Sequence, residues 1–316
     1  MSAHPFRFGV QLSNLPASTW REQVRAIESL GYATLFVPDH FSPSLWDPTT
    51  MLGGVAAITE TLKVGTLVYG IDYRHPVIYA RQSATLQLMS NGRHEFGLGA
   101  GWMVEDYEWA GLEYERPSVR IKRLDEALTI IRSMWSNETT TFSGEHYQVT
   151  DVPLNLEVDS PPQILIGGGG RKLLTVAGKH ADIVGINPML PEGRVTPEAA
   201  LDLAPERMAE KIGWLRAAAE DAGRDFDDIE LNGLVFMAAV TDDPKPAYEM
   251  IAGNFGLSLE QIVDSPLLLV GSPAELIDKL EQRREQTGVS YLVIQGDDMA
   301  QLELFAEHVV APLTGR

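Results

Sequence analysis

Residues 6–19 read FRFGVQLSNLPAST. The first seven, Phe6–Leu12, are a short apolar run of strand type, and the seven after them separate two architectures. An open doubly wound sheet would place a G-x-G-x-x-G turn directly after its first strand, where glycines let the backbone approach a pyrophosphate. The chain reads SNLPAST instead. Seven more runs of strand type lie further along: Ala33–Pro38, Lys63–Val68, His94–Gly99, Gln163–Gly167, Ala181–Asn187, Ile229–Val240 and Ser290–Gln295. Most are too short and too rich in β-branched residues to be buried helices.

Helical patterns lie between them. Thr19–Leu30 stops at Gly31, and Pro48–Thr61, Tyr79–Met89, Val119–Trp135, Lys172–His180, Ala204–Ala222 and Pro273–Gln286 come after it, the last closed by Thr287-Gly288. Glycine past the last apolar position is an ordinary helix stop. Strands joined by crossovers of about ten residues or more are parallel. Eight of them match a (β/α)8 TIM barrel, a fold of roughly 250 residues. The surplus length falls in Gly101–Pro162, Pro188–Asp228 and Thr241–Val289, insertions after strands four, six and seven. None shows an alternating strand set of its own, so residues 1–316 read as one barrel domain. Within the first insertion, Trp135–Pro162 suits a small hairpin or an extended arm.

Composition removes several classes of function. The 316 residues carry 25 Lys and Arg against 44 Asp and Glu, a formal net charge of −19. Nucleic acid and anionic lipid need a basic face, so neither is expected as a partner. The absence of cysteine excludes disulfides, thiolate metal sites and cysteine nucleophiles. No apolar run approaches the roughly 18 residues of a membrane span. The N-terminal MSAHPFRFGVQL has no apolar leader, which reads as a mature cytoplasmic protein. The seven histidines form no H-x-H or H-x-x-x-H pair, and there is no G-x-S-x-G or G-x-x-x-x-G-K-[ST] motif. Metal, triad and P-loop chemistry are therefore not expected.

A barrel of this kind builds its site from the loops after its strands. After the fifth comes Gly167-Gly168-Gly169-Gly170-Arg171. Four glycines opening a helix let backbone N–H groups close on an anion, aided by the positive helix end. That reads as a phosphate site, the bland alternative being a flexible turn. After the second come Asp39 and His40, a histidine beside a carboxylate that suits proton transfer. A loop histidine that only orders its neighbours is equally compatible. Phe41, Trp46, Tyr69 and Trp102 lie in the same loops and could wall a flat ligand, or simply pack.

The stretches FGVQL, AIESLGYATLFVPDHF, LKVGTLVYGIDYRHPVIYARQSATLQLMSNGRHEFGLGAGW, PPQILIGGGGRKLLTVAGKHADIVGI and VGSPAELIDKLEQRREQTGVSYLVIQ resemble, in order, the bacterial luciferase-like monooxygenase superfamily. Its branch using the deazaflavin coenzyme F420 is the most similar. The resemblance implies a luciferase-like barrel, often dimeric, with the ring cofactor across its mouth. It implies that Gly168, Gly169 and Gly170 hold the cofactor phosphate, helped by Asn187, and that a non-proline cis peptide at Leu67-Val68, beside Thr66, backs the ring. It also implies that Asp39 and His40 stand near the reactive edge of the ring.

The sugar-phosphate dehydrogenases of that branch carry a Glu where this chain has Trp102. That departure puts sugar-phosphate oxidation in question, and leaves Glu105 as a more distant candidate for proton handling. The expected activity is hydride transfer between F420 and a small organic alcohol, carbonyl or activated alkene. His40 would be the acid/base, and Trp46 and Trp102 would shape the substrate pocket. Three rivals stand beside it: an FMN-dependent monooxygenase, a non-catalytic flavin or deazaflavin carrier, and a phosphate-gripping isomerase or lyase.

Overall fold

The computed structural model describes residues 4–154, 156, 160–190, 193, 194, 196, 199 and 201–315. Parts of the Trp135–Pro162 and Pro188–Asp228 insertions lie outside the described residues. Eight parallel strands form the barrel: β1 (Arg7–Gln11), β2 (Thr34–Val37), β3 (Lys63–Thr66), β4 (His94–Gly99), β5 (Gln163–Gly168), β6 (Ile183–Ile186), β7 (Glu230–Val235) and β8 (Tyr291–Gln295). Each pairs with its sequence neighbours, and β8 returns to β1 with Arg7 opposite Tyr291. The β3–β4 seam holds through Val64 opposite His94 and Gly65 opposite Glu95. The sheet is thus closed, as the strand count requires.

One crossover helix lies after each strand: α1 (Trp20–Ser29), α2 (Pro48–Ile58), α3 (Pro76–Met89), α4 (Pro117–Ser136), α5 (Arg171–His180), α6 (Pro205–Asp221), α7 (Pro273–Thr287) and α8 (Met299–Phe305). Their starts are written locally. Asp47 caps α2 by accepting from Thr50 N, and Ser272 and Glu275 form a capping box at α7. Proline stands in the first turn of α2, α3, α4, α6 and α7, where its missing N–H costs nothing.

Alternation along each strand divides the core in two. Outward residues such as Phe8, Val10, Leu35, Val64, Phe96, Ile164 and Val184 pack on the helices. Inward residues Phe36, Leu165, Ile183, Tyr291 and Val293 fill the barrel, with Leu67, Val68 and Leu234 against them. The filling depends on missing side chains. A Cβ on Gly65 would lie 2.7 Å from the Phe36 ring, so that ring occupies space that glycine leaves.

The insertions refine the sequence reading. Trp135–Pro162 contains the antiparallel hairpin Thr139–Ser143 with Gln148–Pro153. The apolar run Ile229–Val240 is two strands, not one. It breaks at Phe236, and Met237–Val240 pairs in parallel with Leu268–Gly271 in a separate small sheet. The third insertion, Thr241–Val289, thus contributes one strand, Leu268–Gly271, to a small strand–helix–strand unit that starts in the apolar run before it. Tyr248, Ile251 and Ile262 form a small apolar cluster under it. The run Leu268–Gly271 lies only a residue before the capping box of α7, so it merges with the helix signal in the sequence. Among the described residues no helix is long and apolar enough to cross a membrane, and no group of three or more side chains could hold a metal.

Candidate active site

The third strand breaks after Thr66, where the Leu67-Val68 peptide is cis. The chain then resumes as the short strand Tyr69–Gly70 against Leu98 and Gly99. Neighbouring strands hold the break in place. Leu67 N donates to Val37 O at 3.2 Å, and Gln11 Nε2 donates to Leu67 O at 2.7 Å. Thr66 is fully buried and donates its hydroxyl to Gly97 O at 2.9 Å. The HEFGLG pattern of β4 now has a reason. A Cβ on Gly97 would lie 1.8 Å from Thr66 O, and one on Gly99 would lie 2.7 Å from Val68 Cγ2. Gly97 leaves room for the Thr66 carbonyl, and Gly99 for the Val68 side chain.

Asp39 and His40 leave the end of β2 in opposite directions, as neighbours on an extended chain do. Asp39 is buried; it accepts from Arg74 Nη1 at 2.8 Å and from Gly70 N at 3.3 Å. Burial outweighs Arg74 and pushes its carboxyl above the ordinary value. Arg74 also reaches Asp47 at 3.1 Å, so this pair ties β2 and β3 to the start of α2. Asp39 is thus not the carboxylate beside His40. That partner is Asp106, on the short helix Val104–Ala110 after β4.

His40 Nδ1 lies 2.5 Å from Asp106 Oδ2. Phe41 N donates to Asp106 Oδ1 at 2.9 Å, and Tyr73 OH donates to Oδ2 at 3.0 Å. Burial opposes ionisation of Asp106, but the hydrogen bonds from His40, Phe41 and Tyr73 outweigh it and hold its carboxyl below the ordinary value. An ionised carboxylate only accepts, so His40 Nδ1 carries the proton. In the neutral ring Nε2 is then a lone-pair base, and among the described residues it has no hydrogen-bond partner in the protein. The Trp102 ring stands edge-on to His40 with centroids 5.5 Å apart.

Two further expected residues have their contacts outside the His40–Asp106 pair. Trp46 stands edge-on to Trp20 at 6.2 Å, packs on the main core, and lines a small cavity with Leu12, Ser13, Val37 and Met51. Glu105 is paired with Arg194 at 3.1 Å. Asp106 is the residue the sequence reading missed. Its signal was the acidic pair in GWMVEDYEWAG after the β4 glycines, of which only Glu105 was singled out. Successive helical residues are turned by about 100°, which sends Glu105 to Arg194 and Asp106 to His40.

The glycine turn has two halves. Gly168 and Gly169 are required by packing: a Cβ would lie 2.0 Å from Leu173 Cδ2 and 2.1 Å from Asn187 O respectively. Gly170 is different. Its φ of −86° and ψ of 145° suit any residue, and a Cβ there would meet only Met189 Sδ at 3.5 Å. It is the N-cap of α5, yet no side chain caps that helix, whose first N–H groups have no intrahelical acceptor. Asn187 N donates to Gly168 O at 3.0 Å, and Asn187 O accepts from the buried Lys211 ammonium at 2.9 Å. Lys211 is also paired with Asp202 at 2.5 Å.

The luciferase-like monooxygenase family model matches residues 2–262. The chain belongs to that family. It is 32% identical over 211 residues to an F420-dependent glucose-6-phosphate dehydrogenase of Microbacterium testaceum, covering 64% of this chain and 59% of that one. It is 30% identical over 205 residues to a phthiodiolone/phenolphthiodiolone dimycocerosates ketoreductase of Mycobacterium bovis, covering 63% and 48%. The matched stretch thus spans about half to three fifths of these relatives. A solved F420-dependent secondary alcohol dehydrogenase, in complex with an F420-acetone adduct, superposes with a TM-score of 0.80 at 20% identity over 98% of this chain and 99% of that one. That likeness is one of fold.

Proposed function

We propose that this chain is an F420-dependent oxidoreductase that moves a hydride between the coenzyme and a small organic substrate, with His40 handling the accompanying proton. The observation that carries the reading is the His40–Asp106 pair, 2.5 Å long, which leaves Nε2 as the unpartnered base of a barrel mouth. The cis peptide and the glycine turn border the same mouth.

The residues present fit such a coenzyme. Gly170 is a glycine that neither its backbone angles nor its packing requires, placed where a capping Ser, Thr or Asp would otherwise be favoured. A bound phosphate on the bare first turn of α5 supplies the reason. Gly168 and Gly169 would shape that turn, with Asn187 holding it from the next strand. Leu67 and Val68 would back the ring, steadied from behind by Thr66. Asp39, through Arg74 and Gly70 N, fixes the segment that carries them. When bound, the coenzyme supplies a two-electron hydride carrier. His40 Nε2 takes the proton of a substrate hydroxyl, or returns it to a carbonyl oxygen, while Asp106 stabilises the imidazolium. Trp102 limits the space beside His40 and keeps water from that edge.

Family relatives named for F420 support the cofactor assignment, and family membership leaves FMN as the alternative. Fluorescence titration with each oxidised cofactor separates them: saturable quenching is expected with F420 at concentrations where FMN gives none. The variant Gly170→Ala should fold normally and bind F420 at least tenfold more weakly. FMN binding alone would convert the reading to a flavin monooxygenase. A lack of response to both would return the glycine turn to a phosphate-gripping isomerase or lyase.

A further inference from the structure

Most of the basic side chains around the proposed proton-transfer site are held by carboxylate or carbonyl partners. Arg74 is bound by Asp39 and Asp47, and Arg123 by Asp72 and Glu115. Arg194 is held by Glu105, and Lys211 by Asp202. Arg120 donates to the carbonyls of Ala100, Gly101 and Glu115. Arg171 and Lys172, which open α5 beside the turn assigned above to the coenzyme's own phosphate, and Arg116, at the N-cap of α4, have no ion pair among the described residues. The nearest formal charge to His40 is negative: Asp106, held ionised by its hydrogen bonds.

Two side chains packed on the His40–Asp106 pair are apolar and face solvent. Trp102 is 37% exposed and Phe41 43%. Trp102 touches the His40 ring, and Phe41 lies 4.7 Å from the ring of Tyr73, whose hydroxyl binds Asp106. Met189 is exposed as well, and approaches the position of a Gly170 Cβ from the loop after β6.

From these two facts, and resting on the function proposed above, we infer that the substrate is a neutral alcohol or carbonyl compound with an apolar body and no phosphate group. A phosphate ester needs unspent donors, preferably Arg or Lys in bidentate or clustered geometry. At Arg74 or Arg123 it would have to break an existing pair and leave a buried carboxylate, Asp39 or Asp72, uncompensated. It would also sit near the Asp106 charge in a partly desolvated site. An aryl or alkyl body meets none of these costs, because Trp102 and Phe41 are apolar surfaces whose cover excludes water from His40. This separates the chain from relatives named for glucose 6-phosphate, although they share its family.

The test compares 1-phenylethanol, as the neutral apolar probe, with glucose 6-phosphate. Ligand-observed saturation-transfer NMR is run on the protein with and without F420, and reduction of F420 is followed at 420 nm. The expected result is saturation transfer to 1-phenylethanol and none to glucose 6-phosphate, with kcat/KM at least 100-fold in favour of the alcohol. Trp102→Ala should raise KM for 1-phenylethanol about tenfold or more, with F420 affinity and melting temperature unchanged and no gain for the sugar phosphate. Binding or turnover of glucose 6-phosphate at a level equal to the alcohol overturns the inference. So does failure of the alcohol to bind in either state. If F420 itself does not bind, the cofactor reading fails separately, and the cofactor-free NMR arm still decides the ligand class.

Discussion

At the end of the barrel where the strands begin, Glu95 is fully buried and accepts from Arg7 at 2.5 Å, Lys63 at 2.9 Å and Tyr291 OH at 2.8 Å, while Arg7 also donates to Glu230 at 2.7 Å. At the end where they finish, Asp106 is equally buried and accepts from His40, Phe41 N and Tyr73. Both are buried carboxylates; Glu95 has a fourth, longer hydrogen bond from the Thr34 hydroxyl at 3.5 Å. The difference lies in what the donors are. Arginine and lysine carry permanent charge, so the Glu95 cluster is closed and neutral, with each charge answered. Histidine titrates, and binding through Nδ1 leaves a second nitrogen over. The first arrangement can only hold strands together; the second can hold a ring in place and still exchange a proton. On the function proposed above, burial of charge marks stability at one mouth and chemistry at the other, which is where barrels of this class place each.

Breaking the closed cluster should give the largest effect on the molecule as a whole. Glu95→Ala leaves two cations without their buried partner, and should cost about 3–5 kcal/mol of stability in urea unfolding followed by circular dichroism. A loss below 1 kcal/mol would show that the cluster is ornamental. Breaking the open one should act on rate alone. His40→Ala should lower kcat by about 10²–10⁴-fold, with the unfolding midpoint and F420 affinity retained; unchanged turnover removes His40 from the mechanism. Asp106→Asn keeps the shape but loses the charge that orders the ring. Turnover should fall about 10–100-fold, by analogy with other outer partners of functional histidines. The loss should fall on kcat for 1-phenylethanol, with its KM and the affinity for F420 retained. An equal loss of F420 affinity would mean that Asp106 acts only through packing.

The smallest effect sharpens the comparison by pH. Burial depresses the His94 imidazole, whose Nδ1 donates to Val64 O at 2.9 Å, to about 4 from an ordinary 6.5. A group held below its unfolded value contributes stability above that value and loses it as pH falls. Stability should therefore decline from pH 6.5 towards 4, by at most roughly 1.4 kcal/mol per pH unit. Glu95, fully buried but held down to about 2 by Arg7 and Lys63, adds a second decline from about 4.5 towards 2. In His94→Gln the upper decline should vanish and the lower one stay. Loss of both together would show that the two groups do not titrate separately.

Much of this was legible in the chain. Eight apolar runs gave the barrel because period and length are local properties, and β4 was placed residue for residue by its own composition. Gly167–Gly170 announced a turn at a strand-to-helix junction for the same reason. The proton-handling pair was only half legible. His40 stood out beside Asp39, but sequence adjacency is misleading on extended backbone, where neighbours point apart; Asp39 went to Arg74. Trp46 reads as a pocket wall because it lies in a mouth loop; its contact with Trp20, 26 residues before it, could not be read from that loop. The run Ile229–Val240 hid a break at Phe236, since a strand that changes sheets need not change its apolar pattern.

The amino-acid sequence by itself determined the strand and helix order, the acidic surface, the absence of thiol chemistry and the glycine turn before α5. Those come from composition and short-range periodicity, which need no partner. Only the tertiary structure decided that Asp106, 66 residues after His40, is its carboxylate. It also decided that Gly97 makes room for the Thr66 carbonyl and Gly99 for Val68, and that most of the cations around the proposed proton-transfer site have carboxylate or carbonyl partners. Each of these is a contact between elements far apart in the chain, set by the closure of the barrel and the rotation of one helix, and neither is written in any single stretch of residues.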